Sequence, residues 1–239
     1  LKVRYLIKYA KNSDIKFISH LDLMRTIQRT IRRAEIPVEF SKGFNPHMSL
    51  SIGQPLAVGV YSEGDYLDLV LLEEVSEEEI IKKLNENAPS GITFLEAVAV
   101  PRIEGQKKLP QAMAAIEAAS YTIKFVCSNT NNVEEKFSQL LKNEKWEILK
   151  KSKSGEKLVN IKPQIKEIKY WLKDEQFILQ VLVSCGSKEN LSPQLLSEYI
   201  INNTDFMDKD KFVDIKRKEM YIIKNKKYVS LADYFRESK

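Results

Sequence analysis

Two histidines, four arginines and one short loop hold most of the chemistry this sequence offers. His20 and His47 are the only histidines. Imidazole titrates near neutral pH, so the pair could divide general-acid and general-base work, as in metal-independent cleavage of RNA. The same residues also fit structural roles, with His20 hydrogen-bonded in the first turn of a helix and His47 bonding to loop backbone. Two histidines without an evident third ligand do not suggest a metal site, and neither metal nor cofactor is expected. Arg25, Arg29, Arg32 and Arg33 fall within nine residues. At 100° per residue the first three lie within about 60° of one another, opposite Ile27 and Ile31. Guanidinium suits two-point contact with phosphate or carboxylate, so the stripe reads as a phosphate-tracking face, or else as a solvated one. The loop Ser41-Lys42-Gly43-Phe44-Asn45-Pro46-His47 sets an aromatic between Lys42 and Asn45. That combination stacks on bases and reaches their edges, or leaves Phe44 as the anchor of a packed loop.

These residues sit on elements the sequence marks out. Residues 3–9 mix β-branched and aromatic side chains and predict a strand. Ser19 with Asp22 has capping-box spacing, and Leu23, Met24, Ile27, Ile31 and Ala34 give the following helix its buried face until Pro37 stops it. His20 lies just inside the start, on the core side. Val38 to Phe40, Met48 to Ile52 and Tyr66 to Leu72 read as extended. Glu63, Asp65 and Asp68 read as a solvated edge. Ser76 with Glu79 caps a second helix, and residues 92–100 form a closing strand. The order is β-α-β-β-α-β. It repeats after a polar stretch: a strand at 121–127, a helix capped by Asn132 with Glu135, and extended segments at 146–149 and 158–161 around a turn at Lys153-Ser154-Gly155. A long hairpin over 165–183, a helix opened by Ser192-Pro193, and a strand at 212–223 complete the series. The expected fold is α+β: two tandem ferredoxin-like units at 1–100 and 119–239, joined by a linker at 101–118, the second unit with an extra hairpin.

The 239 residues, 43% hydrophobic and 30% charged, can build a real core. No apolar run reaches membrane-spanning length and no signal peptide pattern is present, which predicts a cytoplasmic protein. Cys127 and Cys185 form neither a disulfide framework nor a cluster spacing. Neither a P-loop nor a dinucleotide fingerprint occurs. The net charge of +5 is uneven: residues 1–119 hold 15 Lys and Arg against 16 Asp and Glu, so the second half carries the excess. Its lysines at 145, 150, 151, 153, 157, 162, 166 and 169 read as solubilising or as an extended electrostatic surface. The arginines run the other way, six of eight lying before residue 120.

The segments Phe17-Ile18-Ser19-His20-Leu21-Asp22-Leu23-Met24-Arg25 and Ser41-Lys42-Gly43-Phe44-Asn45-Pro46-His47 resemble the radical-SAM-linked domain family, a bacterial family of unknown function. Arg29-x-x-Arg32-Arg33-Ala34, Pro55-Leu56-Ala57-Val58-Gly59 and Ser62-Glu63-Gly64-Asp65-Tyr66 continue the likeness, which is strong over residues 1–100. Members stand beside, or are fused to, a cobalamin-binding-type radical SAM protein. The resemblance therefore implies that protein as partner. This chain lacks the three-cysteine motif for radical chemistry, so it would serve as an accessory. A resemblance in layout, tandem ferredoxin-like units with a histidine near the first helix, links it to CRISPR repeat-processing endoribonucleases. Those carry a Gly-rich loop late in the chain, where this sequence has only Gly155 and Gly186.

Three functions follow. The first is a non-catalytic accessory that binds RNA or another anion through Arg25, Arg29, Arg32 and Arg33, with Lys42, Phe44, Asn45 and His47 making specific contacts. The second is an endoribonuclease using His20 and His47. The third is a module that binds the radical SAM protein alone.

Overall fold

The computed structural model describes residues 2–102, 105, 108–152 and 155–238. The chain is mixed α+β, and its residues gather into two units: 1–117 with 219–239, and 118–218. The reading from sequence ends its first unit at 100 and gives every residue from 119 onward to the second. The difference lies in the expected linker at 101–118, which falls in the first unit as far as residue 117, and in residues from 219 onward, which gather with the first unit.

In the first unit β1 (Val3–Lys11) leads into α1 (His20–Arg33), β2 (Leu50–Ile52), β3 (Val60–Leu71), α2 (Glu77–Asn87) and β4 (Ile92–Ala99). β1 lies between β3 and β4, antiparallel to both, and β2 pairs antiparallel with the outer side of β3. Alternation sorts the strands into two faces. Tyr5, Ile7, Tyr9, Leu67, Leu69 and Leu71 meet Leu23, Ile27 and Ile31 of α1 and Ile80 and Leu84 of α2 in the core. The caps are those expected: Ser19 Oγ accepts from the Asp22 N–H and Ser76 Oγ from the Glu79 N–H, each at 3.2 Å.

β3 begins at Val60, six residues before the expected Tyr66, because the nine residues of β1 give even Ser62 a partner in Lys11. Val38 and Phe40 make isolated bridges to Leu71 and Met48 instead of a strand. Asp65 and Asp68 are 1% and 3% exposed, so neither is a solvated edge. Asp68 sits on the sheet face away from α1 and α2, opposite Leu6 in the register, and that face is covered. One cover is α3 (Ala112–Ala115), inside the expected linker. A Cβ on Gly53 would come within 2.9 Å of Ile116 Cδ1 and 3.3 Å of Ala112 Cβ, so only glycine lets this cover sit so close. The other cover is α6 (Leu231–Arg236), reached through the second unit and through β11 (Lys227–Ser230). Phe235 is fully buried, with the Arg4 guanidinium 5.7 Å over its ring, and Arg236 pairs with Glu96 of β4.

The second unit runs β5 (Ala118–Val126), α4 (Val133–Leu141), β6 (Glu147–Ser152), β7 (Gly155–Asn160), β8 (Ile165–Lys173), β9 (Gln176–Ser184) and α5 (Pro193–Asn202). It ends in the first half of β10 (Asp214–Lys224). β9 lies between β5 and β8, antiparallel to both, while β6 and β7 form a separate two-stranded ribbon. Lys153 and Ser154 of the expected turn lie outside the described residues. Phe137 of α4 packs 4.7 Å from Tyr170 and 4.8 Å from Phe177, between ring centres, and Trp146 stacks 4.8 Å from Tyr199 of α5. Ser192 caps α5 as expected, accepting from the Leu195 N–H. Asn132 does not cap α4 with its side chain: its left-handed backbone, φ 53°, replaces the extended one from which a cap reaches back.

Candidate functional site

α1 places its arginines as the spacing predicts. Leu23, Ile27, Thr30 and Ile31 are buried, and Arg25, Arg29, Arg32 and Arg33 are exposed. Arg25 has Asp22 at 3.5 Å, a solvated pair that holds it only weakly. Arg33 is tied down, donating to the Asn87 carbonyl at 2.7 Å and so linking α1 to the end of α2. Arg29 and Arg32 make no ion pair among the described residues, which leaves the middle of the stripe uncompensated.

The loop of residues 41–47 is exposed throughout, with Phe44 fully in solvent. The Ser41 N–H donates to the His47 carbonyl at 2.8 Å and the His47 N–H to Ser41 Oγ at 2.9 Å, closing the loop at its base. Gly43, at φ 132°, turns the tip where nothing lies within 4 Å of a Cβ. Phe44 therefore does not anchor a packed loop. It stands free beside Lys42 and Asn45.

The two histidines lie at opposite ends of β1. Val3 pairs with Leu71 and Lys11 with Ser62, eight residues apart, which is roughly 27 Å of strand. His20 belongs to the Lys11 end, where Lys11 Nζ donates to the carbonyls of Lys16 at 3.0 Å and Ile18 at 3.3 Å. His47 belongs to the Val3 end, since Val38 bridges Leu71 and the Glu39 N–H donates to the Val70 carbonyl. Shared acid–base work by His20 and His47 has no common centre. His20 is half-buried, and its Nδ1 is enclosed without a hydrogen-bond partner, whereas His47 is exposed. The segments around His20 and Gly59 do meet, through a 2.9 Å bond from the Gly59 N–H to the Lys16 carbonyl. Phe17, Leu21 and Val58 are exposed nearby.

Sequence reasoning missed a polar layer beneath the covers of the first unit. Asp68 accepts from the Ala112 N–H at 2.7 Å and faces Arg4 at 3.7 Å, while Arg4 donates to the Leu109 carbonyl at 2.9 Å. Burial pushes the Asp68 carboxyl up, and the Ala112 N–H and Arg4 partly offset this. Lys8 pairs with Glu219 at 2.5 Å beside Tyr66, whose phenol is pushed up by burial and by Glu219. The period-2 placement of Arg4, Leu6 and Lys8 opposite Tyr66 and Asp68 was the available signal. Cys127 and Cys185 are both buried and form no disulfide, and burial pushes the Cys127 thiol up. Among the described residues no three His, Cys, Asp or Glu side chains gather as a metal group, and no helix is long and apolar enough to cross a membrane.

A family model described as "Uncharacterized protein conserved in bacteria (DUF2344)" matches residues 4–193. The chain belongs to this family. The DUF2344 match takes in α1, the 41–47 loop and almost all of the second unit up to α5. No curated protein matches. Among solved structures, a chain of a Cbf5-Nop10-Gar1 complex is similar at a TM-score of 0.49 and 11% identity, over 90% of this chain and 48% of that one. This chain thus aligns with about half the length of that structure. A chain described as a candidate glycine cleavage system transcriptional repressor aligns at a TM-score of 0.22 and 11% identity, over 91% of this chain and 98% of that one. At these scores neither likeness bears on function.

Proposed function

We propose that this DUF2344 protein is a non-catalytic, cytoplasmic accessory that binds RNA through the exposed face of α1. The observation that carries the reading is the stripe of Arg25, Arg29 and Arg32, exposed along one face of a well-anchored helix, with two of its three guanidiniums unpaired among the described residues. Arginine planes at one-turn spacing suit a phosphate backbone. Phe44 and Asn45, free in solvent near Lys42, suit an unstacked base. The strand pairings support reading each unit as ferredoxin-like, because each sheet sets its first strand beside its third in an antiparallel split arrangement. The ribbon of β6 and β7 is then the extra hairpin of the second unit. The partner, a cobalamin-binding-type radical SAM protein, follows from the likeness of the segments around His20 and Pro46 to the radical-SAM-linked family.

The test is binding of end-labelled bacterial RNA at several salt concentrations, with and without Arg25→Ala, Arg29→Ala and Arg32→Ala combined. Loss of the three contacts is expected to make the log–log salt slope shallower by about 2 to 3, at 0.7–0.9 per phosphate. An unchanged slope would overturn the reading. Shortened RNA would contradict the non-catalytic assignment.

A further inference from the structure

The second unit has a sheet face that none of its helices covers. Tyr121, Ile123 and Phe125 of β5, Phe177, Leu179 and Val181 of β9, and Tyr170 of β8 point toward α4 and α5, so the residues between them point the other way. The register sets these outward residues in rows across β5, β9 and β8. Lys124 lies beside Ile178 and Trp171, and Thr122 beside Gln180 and Lys169. Val126 lies beside Gln176 and Lys173 in the next row. A depression of about 210 Å³ opens on this face, lined in part by Thr122, Lys169, Gln180 and Lys218.

We propose that this face is a binding platform for single-stranded nucleic acid. Ile178 and Leu182, each 7% exposed, form an apolar floor, while Gln180, Gln176, Lys169 and Lys173 stand in solvent around it. Trp171 is half-buried on the outer strand, without a ring partner among the described residues, so its indole can take a base by stacking. Thr122 and Gln180, adjacent in one row, supply the donor and acceptor groups that base edges need. Lys124, Lys169 and Lys173 make no ion pair among the described residues. On β5, β8 and β9 they stand against one carboxylate, Glu167, with Asp174 and Glu175 confined to the turn at one end, while alternation on β10 sets Asp214 beside Lys216 and Lys218. Unpaired ammonium groups flanking a half-buried indole and exposed amide side chains favour a flexible polyanion with flat bases over an acidic protein surface, which has nothing to stack.

Tryptophan emission reads this face directly. The chain has two tryptophans, and Trp146 is fully buried, so only Trp171 can answer a ligand laid on the sheet. Titration with a twelve-nucleotide oligouridylate at low salt should quench part of the emission saturably. Combined Lys124→Ala, Lys169→Ala and Lys173→Ala should raise the midpoint by about tenfold or more, and because Lys124 is half-buried while Lys169 and Lys173 are exposed, an unchanged urea midpoint shows that folding is spared. No quench at saturating oligouridylate, or a midpoint unmoved by the lysine changes, overturns the proposal. The same titration separates the platform from the α1 stripe: a quench that survives the triple arginine change supports the platform alone. RNA binding that needs the arginines while Trp171 never responds supports the stripe alone and overturns the platform.

Discussion

The two units build similar sheets and treat the face away from their main helices in opposite ways. In the first unit that face carries Arg4, Lys8, Tyr66, Asp68 and Glu96, and it is sealed by α3 and α6, with each charge given a partner. In the second it carries Lys124, Lys169, Trp171 and Lys173, no helix of that unit covers it, and those lysines make no ion pair among the described residues. Polar residues on a strand thus have two meanings. Where a cover lies over them they fix how the cover sits, because a buried charge without its partner is costly. Where none does, they are available to a ligand.

The largest expected effect breaks the seal. Phe235→Ala removes the buried ring that holds α6 on the first sheet and should cost about 3–5 kcal/mol, measured by urea unfolding. Asp68→Ala, which strands the Ala112 N–H and the Arg4 guanidinium, should cost about 1–3 kcal/mol in the same assay. Asp68 also sharpens the contrast through pH. Its carboxyl is raised in the folded protein, so its contribution is fully present below the ordinary aspartate value and is lost as pH rises through the raised one. Urea midpoints of the wild type should fall across that window, while those of Asp68→Asn should not. Ser230→Ala, removing the cap whose Oγ accepts from the Asp233 N–H, should cost about 1 kcal/mol. Lys169→Ala, on the open face, should change stability by no more than about 0.5 kcal/mol.

The sequence made the helices legible where side-chain caps and apolar spacing agreed, as at Ser19, Ser76 and Ser192. It also made the exposed arginine face legible, since Ile27 and Ile31 fix which side of α1 turns inward. The buried acids were not legible. Asp68 read as a solvated edge because nothing local announces that α3 and α6, far away in the chain, cover its face, and Asp65 because nothing local announces that it lies opposite Tyr9 on the core side. β11 and α6 went unnoticed at the sequence level, although Ser230 and Asp233 have the same spacing as Ser19 and Asp22. The histidines looked like a pair because a helix start and a loop, close in sequence, hid the length of strand between them. Lys169, grouped with the solubilising lysines, shares a face with Trp171 and Lys173 only because all three alternate on β8.

The return of residues 219–239 to the first unit has a consequence for synthesis. The ribosome releases β1 to β4 early, yet their second face must wait for about 130 further residues before α6 exists to cover it. At roughly 5–20 residues per second that delay is several seconds or longer. During it the nascent chain shows Lys8, Tyr66 and Glu96, whose partners all come after residue 218, to the cell uncovered, so the first unit is begun first and finished last.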